Sequence, residues 1–187
     1  MKGKGLNRLF ILLFVIVVGL LGVFSWNLFF HKENGKNLKI VFRSSSDIMI
    51  ENKLPISDTL GKQLTGDGME NGIQGYLEFS IENKDSISNE YVIKLTKKEL
   101  NQNEINGNYI KLYLTKANDY PLDGFEQNPV PSFQQLPVLN SKPNSKVLYR
   151  GVIAGNTVEE FRLRMWLADS YAMNSVLEEF SIKIDVE

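Results

Sequence analysis

Apolar side chains recur at every second position in several short segments of this chain. In residues 76–82, for example, Leu77, Phe79 and Ile81 alternate with polar side chains. An extended backbone would place the apolar set on one face and the polar set on the other. A period of two therefore indicates half-buried β-strands and predicts a fold in which sheets bury one face against each other.

About eight segments carry this pattern. The clearest are 76–82, 91–96, 110–115, 161–168 and 180–187, and less regular strands are expected at 38–43, 48–51 and 147–153. Asp67–Gly68, Asn71–Gly72 and Asn106–Gly107 tolerate positive φ and favour tight turns between strands. With no helical pattern beyond the N-terminal segment, the sequence predicts an all-β fold, an antiparallel β-sandwich of jelly-roll type.

The N-terminal part of the chain is different in character. Residues 9–30 contain no charged side chain, and at ~1.5 Å per residue a helix of this length crosses the roughly 30 Å hydrocarbon layer. Lys2, Lys4 and Arg8 precede it and place the N-terminus in the cytoplasm by the positive-inside rule. The expected organisation is a cytoplasmic tip (1–8), a transmembrane signal-anchor in contact with membrane lipid (9–30), a juxtamembrane linker (31–37) and an extracytoplasmic domain (38–187).

Cleavage of the same segment as a signal peptide is the alternative. Val23 and Ser25 are small residues that could precede a cut before Trp26, and the domain would then be secreted. The apolar run is longer than the ~7–15 residues of a signal-peptide core. Aromatic residues follow it, as they do where helices leave a bilayer. Retention in the membrane is therefore the preferred interpretation.

Composition excludes several classes of protein. Three of the 21 basic residues lie in the N-terminal tip, so the remaining 18 face 22 acidic residues and leave a formal charge of −4. Nucleic-acid-binding domains usually show a concentrated basic face, so no nucleic-acid partner is expected. The chain has no cysteine, which excludes disulfides and thiolate metal ligands. The fold must rely on packing and strand pairing.

Residues that could carry catalysis are scarce. His31 is the only histidine and lies at the expected membrane boundary, which excludes Ser–His–Asp, Cys–His and HExxH arrangements. Asp119, Asp123 and Glu126 could gather a calcium ion, but their spacing does not match an EF-hand loop. The prediction is a non-enzymatic protein with no cofactor and no metal site.

The most distinctive surface is predicted on the strand at 161–168. Arg162, Arg164 and Trp166 should project from one side of this strand while the other side is core. An aromatic plane between guanidinium groups could stack on a sugar ring, a peptide or a partner surface. The alternative is that the long proline-rich loop at 116–146 covers Trp166 while the arginines pair with nearby acids.

A proline-rich loop at 116–146 is the second candidate binding element. Five of the six prolines fall there, which excludes central strands from most of it. Loops of this length are usually functional or disordered. Apolar residues, among them Phe125 and Phe133, favour an ordered flap that lies on the domain.

Three features resemble the camelysin/TasA family of secreted proteins from Gram-positive bacteria. They are the hydrophobic leader followed by Ser25–Trp26, the stretch Gly75–Asn83 and the closing pair of strands, and the turn at Gly66–Gly68 is similar to the family's turn before that stretch. The resemblance implies a jelly-roll domain that is exported through a dedicated signal peptide and contributes to extracellular matrix fibres. The leader departs from the pattern in its poor cleavage site. The metalloprotease activity described for some members is not expected without a usable histidine.

These observations favour a structural or matrix role at the bacterial cell surface, with self-association or a protein partner. A partner-binding or ligand-binding module of a membrane-associated complex, using Trp166 and residues 116–146, is the alternative. An unprotected C-terminal strand would favour self-assembly, and a concave aromatic face would favour binding. Lys183, Asp185 and Glu187 on the polar face of that strand favour a central or protected position for it.

Overall fold

The computed structural model describes the domain that follows the predicted anchor. The described residues are 37–43, 45–51, 53–65, 75–100, 103–173 and 177–187, all within one unit that spans Asn37–Glu187. The predicted tip, anchor and most of the linker lie outside the described residues, as do the turns predicted between residues 66 and 74. Among the described residues, no helix is both long and apolar enough to cross a bilayer.

The described chain is built mainly of strands. They are β1 (Leu38–Phe42), β2 (Asp47–Glu51), β3 (Gly75–Asn83), β4 (Asn89–Lys97), β5 (Asn103–Glu104), β6 (Ile110–Lys116), β7 (Val138–Leu139), β8 (Lys142–Ile153), β9 (Thr157–Leu167) and β10 (Glu178–Val186). A four-residue helix, α1 (Asp58–Gly61), and a 3-10 turn at Phe133–Gln135 were not predicted. All eight predicted strand segments are confirmed, with ends that differ by a few residues.

The strands form two sheets. The first has the order β1-β3-β9-β6, and the second has the order β2-β10-β4-β8-β7 with β5 paired to β10. Each ladder is antiparallel apart from the short parallel pairing of β5 with β10. Apolar side chains from both sheets meet in one hydrophobic core. The prediction of an all-β sandwich is therefore confirmed.

The pairing of β3 with β9 illustrates how alternation sets the register. Phe79 lies opposite Phe161 and Glu78 lies opposite Arg162. The two phenylalanine rings stack in the core with centroids 5.4 Å apart, while the charged pair lies on the outer face of the sheet. A slip of one residue would exchange the two faces, so burial of one face fixes the register.

The C-terminal strand lies inside the second sheet. β10 is flanked by β2, where Ile182 pairs with Ile48, and by β4, where Ile184 pairs with Leu95. Ile182 is fully buried. The prediction of a central or protected strand is therefore confirmed, and the backbone groups of β10 are engaged by its neighbours rather than offered to another chain.

The 116–146 segment closes one side of the sandwich. The Leu112 N–H of β6 donates to the Pro131 carbonyl at 3.1 Å, which ties the segment to the edge of the first sheet. The Val147 N–H donates to the Pro137 carbonyl at 2.8 Å, which ties it to the second sheet. The segment therefore bridges the edges of both sheets as an ordered connection.

Strands occupy the last part of this segment. β7 and residues 142–146 of β8 both lie within it. Pro143 fits there because the pairing of β8 with β4 ends at Ser145, opposite Thr96. A proline beyond the end of that ladder removes no hydrogen bond between the two strands.

Residues 53–65, here called the strap, lie on the outer face of the first sheet. The Ile56 N–H donates to the Leu167 carbonyl of β9 at 2.9 Å. The Ser57 hydroxyl then accepts a bond from the Leu60 N–H at 3.4 Å and caps α1. Capping satisfies one of the free N–H groups at the start of the helix and so fixes where the strap turns.

Candidate functional site

Trp166 lies beneath the strap. Its side chain is 0% exposed and packs with Leu64 and Val130 in a cluster separate from the main core. Gly61 of α1 lies directly on the indole, since a Cβ at that position would be 2.2 Å from Trp166 Cε2. The ring is therefore part of the packing and offers no face to a ligand.

Arg164 is also buried, with 4% of its surface exposed. Its Nε donates to the Leu64 carbonyl at 2.7 Å, Nη1 donates to Thr115 Oγ1 at 3.0 Å, and Nη2 donates to Asp119 Oδ1 at 2.7 Å. A buried guanidinium needs such partners, because an unpaired charge in the interior is costly. Arg164 therefore ties the strap and the turn after β6 to β9.

Arg162 belongs to a more exposed part of the same charge network. Its Nε donates to Glu78 Oε1 at 3.1 Å and its Nη1 donates to Asp119 Oδ2 at 3.0 Å. Glu78 also pairs with Arg43 at 2.5 Å and accepts a bond from the Tyr76 hydroxyl at 2.6 Å. Acids and bases alternate through this network, so each of its two carboxylates lies between two of its three guanidinium groups.

The ionisation of the network follows from these contacts. The Arg164 hydrogen bond lowers the pKa of Asp119, and the Tyr76 hydrogen bond is the main cause of a lowered pKa at Glu78. Burial, together with the Glu78 partner, raises the pKa of Tyr76 to about 12. Both carboxylates are therefore held in the charged form that the arginines require.

The sequence allowed either an exposed face of Arg162, Arg164 and Trp166 or a covered tryptophan with paired arginines. The structure has the covered tryptophan and the paired arginines. Trp166 is covered and the two arginines pair with acids, so the three side chains do not form an exposed face. The expected cover by the proline-rich loop was only partly right, because Val130 is its one residue in the cluster and the rest of the cover comes from the strap. The physical reason is that a large apolar ring on an outer face is stabilised by removal from water.

A groove of about 730 Å³ lies elsewhere, between the proline-rich segment and β8. One wall carries Pro129, Pro131 and Pro137, and the opposite wall is the stretch Val147–Arg150 of β8. Small-molecule and cofactor sites have volumes of about 300–1,000 Å³. The groove is therefore of a size that can hold a ligand.

The two phenylalanines predicted for binding are both buried and have different positions. Phe125 is 2% exposed and lines the floor of the groove. Phe133 is 2% exposed and packs edge-to-face on Phe180 of β10 with centroids 5.1 Å apart. Phe125 thus supports the groove, while Phe133 anchors the segment to the core.

The groove combines apolar and polar groups. Exposed amides of Gln127, Asn128 and Gln135 stand on the side of the proline-rich segment, and Asp123 and Arg150 supply charges of opposite sign. Within the described ranges, no three potential metal-ligating side chains come together. These groups suit recognition through hydrogen bonds and apolar contact more than they suit catalysis.

The groove runs along the edge of β8. β7 pairs with β8 only as far as Lys146, and past Val147 the described chain provides no further strand on that side. Tyr149 and Arg150 are consecutive, so their side chains point to opposite faces of the sheet. Because both line the groove, it follows the strand edge rather than one face.

Sequence reasoning identified one wall of this groove and missed the other. The prolines were visible as a cluster, but Tyr149 and Arg150 belong to an ordinary strand pattern. Asp123 and Tyr149 both line the groove, where burial and then the charge of Asp123 raise the pKa of Tyr149.

Comparisons with known proteins found no matching protein family, no matching curated protein and no matching solved structure.

Proposed function

We propose that this protein is a non-enzymatic binding module that is tethered to a bacterial membrane and displayed outside the cytoplasm. Its ligand or partner occupies the groove between the proline-rich segment and β8. The observation that carries this proposal is the concave groove of about 730 Å³ with apolar, amide and charged groups along it. β10 is paired on both sides, so self-assembly through the C-terminal strand is less favoured.

A jelly-roll arrangement supports a role in recognition. β2 pairs with β10, β3 with β9 and β4 with β8, which is the nesting expected when one long hairpin is wound into two sheets. Jelly rolls occur in capsid and lectin domains. The groove lies where the winding reaches the connection from β6 to β7, and binding groups are often carried on such connections.

The membrane topology is testable on intact cells. The basic tip and the uncharged span at 9–30 predict that protease added outside digests the C-terminal domain and leaves an anchored N-terminal fragment. Protection of the domain would contradict export. A mature N-terminus at Trp26 would replace the anchor with a cleaved signal peptide.

Occupation of the groove is testable by cross-linking in the same cells. A photoreactive residue at Gln127, which is exposed and lines the groove, should give a discrete adduct on illumination. The matched control is the same residue at Gln63, which is exposed on the strap and does not line the groove. Equal labelling from both positions, or no adduct from Gln127, would refute the binding proposal.

A structural or matrix role remains the second candidate, supported by a different observation. β1 and β2 each form one outer edge of their sheets and are paired on one side only within the described residues. Val41 and Met49 on these strands are 40% and 47% exposed. Open edges of this kind can pair with another chain. Light scattering of the concentrated full-length protein in detergent should show concentration-dependent growth if these edges assemble, and a constant size would exclude that role.

A further inference from the structure

The 3-10 turn before β7 explains why the edge of β8 stays open. β7 pairs with β8 only up to Lys146, so Leu136 and Gln135 are the residues that would continue this antiparallel ladder past Val147. Their N–H groups donate instead to the carbonyls of Phe133 and Ser132. The chain therefore turns away from β8, and the backbone edge of β8 past Val147 has no neighbouring strand among the described residues.

The open part of the edge is long enough to matter. It runs from Tyr149 to Val152, and four residues at about 3.3 Å each span roughly 13 Å. On its other side, β8 pairs with β4 over this stretch, just past a register shift that leaves Leu148 without a partner. A sheet with one satisfied and one open edge is a template for an added strand.

We propose that the occupant of the groove is an extended segment of a partner polypeptide, which adds to the second sheet as a strand along β8. This inference rests on the proposed binding function and names the class of ligand. The partner's main chain would supply the hydrogen bonds that β7 supplies up to Lys146. The neighbouring amides of Gln127, Asn128 and Gln135 would meet its side chains.

The exposed side chains of β8 set the partner's sequence. Arg150 lines the groove. Val152 lies two residues further along the same edge, past the end of the groove, where it points to the same face of the sheet and is 62% exposed. Cross-strand pairs favour opposite charges and matched β-branched side chains. The added segment should therefore carry an acidic residue opposite Arg150 and a β-branched residue two positions away, opposite Val152.

A saccharide is less favoured by the groove. Sugar rings stack on exposed aromatic faces, whereas Phe125 is buried and the half-buried ring of Tyr149 packs at 6.2 Å from that of Tyr91. The apolar groups that remain open are proline rings and the edge of β8. These surfaces suit an extended peptide.

The test begins with a display library of random octapeptides selected on the full-length protein in detergent micelles. The expected result is enrichment of extended peptides that contain an acidic residue and a β-branched residue in i, i+2 spacing. Binding should weaken at least about tenfold in the groove-blocking variant Gln127→Trp. The matched variant Gln63→Trp places the same side chain on the strap and should bind as the original chain does.

The enriched peptide is then synthesised with N-methyl groups on every second residue, in two isomers that block alternate edges of its backbone. In a strand, the N–H groups that face one neighbour belong to every second residue. One isomer should therefore bind at least about tenfold more weakly than the parent, and the other should bind nearly as well. Two equally affected isomers would overturn strand addition, because both share the same side chains.

The remaining outcomes separate the inference from the function on which it rests. Failure to enrich a groove-dependent peptide, with a Gln127 adduct still forming in cells, overturns the peptide proposal and leaves the binding module. Binding of chitotetraose in the groove in place of any peptide would assign the site to a saccharide. Self-association that Gln127→Trp abolishes would assign it to a second copy of the chain. Absence of the Gln127 adduct would contradict both the proposed binding function and the inference that the ligand is a peptide strand.

Discussion

Replacement of Ile182 by alanine tests whether the C-terminal strand completes the core. Ile182 is 0% exposed and lies between Ile48 of β2 and Lys97 of β4. Alanine lacks three of its side-chain carbons, and at about 0.8 kcal/mol per buried CH₂ their transfer to water costs roughly 2.4 kcal/mol. The cavity left behind raises the loss of unfolding free energy to about 3–4 kcal/mol.

Thermal unfolding of the full-length protein in detergent, followed by circular dichroism, measures this loss. A domain of this size loses about 2–4 °C in Tm per kcal/mol, so the midpoint should fall by roughly 6–16 °C. The control is Lys183→Ala on the next residue, which is exposed and should shift Tm by less than about 2 °C. Equal shifts for the two variants would refute the placement of β10 in the core.

Three further predictions concern the strap, the charge network and metal independence. Gly61→Ala should displace the strap from Trp166, because the added Cβ would lie 2.2 Å from the indole. In a Trp26→Phe background the tryptophan emission should therefore shift to longer wavelength. Unchanged emission would contradict the packing of the strap on Trp166. The lowered pKa of Asp119 contributes stability that is complete above about pH 4, the ordinary aspartate value, and is lost as pH falls through the lower folded value. The acid-induced fall in Tm should therefore be shallower in Asp119→Asn, and parallel curves would exclude this source. EDTA should leave Tm unchanged, since the described residues hold no metal-ligand cluster, and a large drop would reveal a missed site.

The strands were predictable because apolar alternation can be seen within a few neighbouring residues, and it determines which face of the strand is buried. Phe180, Ile182 and Ile184 share one face of an extended chain wherever the strand pairs. Three large apolar side chains on one face of a short strand indicate that another part of the domain packs on that face. The partners of the strand were not predictable, since the pairing of β10 with β2 joins residues about 130 positions apart.

The outer face of the first sheet was harder to predict for the same reason. Arg164 and Trp166 alternate with core residues as a solvent-exposed set would. Their burial depends on the strap, whose helix has only four residues and no periodic pattern to reveal it. The close approach of Gly61 to the indole is a tertiary contact that a single sequence does not encode in any local pattern.

The sequence indicated only one of the two walls of the groove. Prolines mark a segment that cannot form a central strand, so the wall they build follows from composition. The opposite wall exists because β7 begins only at Val138, after the 3-10 turn, which leaves β8 past Val147 without a neighbouring strand on that side. Strand length is set by long-range pairing, and for that reason Tyr149 and Arg150 carried no sign of their position.

The strap that covers Trp166 should open more often than the two sheets beneath it. The strap is fixed to the sandwich by the Ile56 hydrogen bond, by the Arg164 bond to the Leu64 carbonyl and by the small apolar cluster around Trp166. The central strands are fixed by ladders on both sides. Segments with few buried contacts open at a lower free energy than the whole domain. Amides of the strap should therefore exchange with deuterium long before those of β9 and β10. Each opening would briefly wet a tryptophan that is otherwise dry, so the fluorescence of this one side chain reports a partial unfolding that leaves both sheets intact.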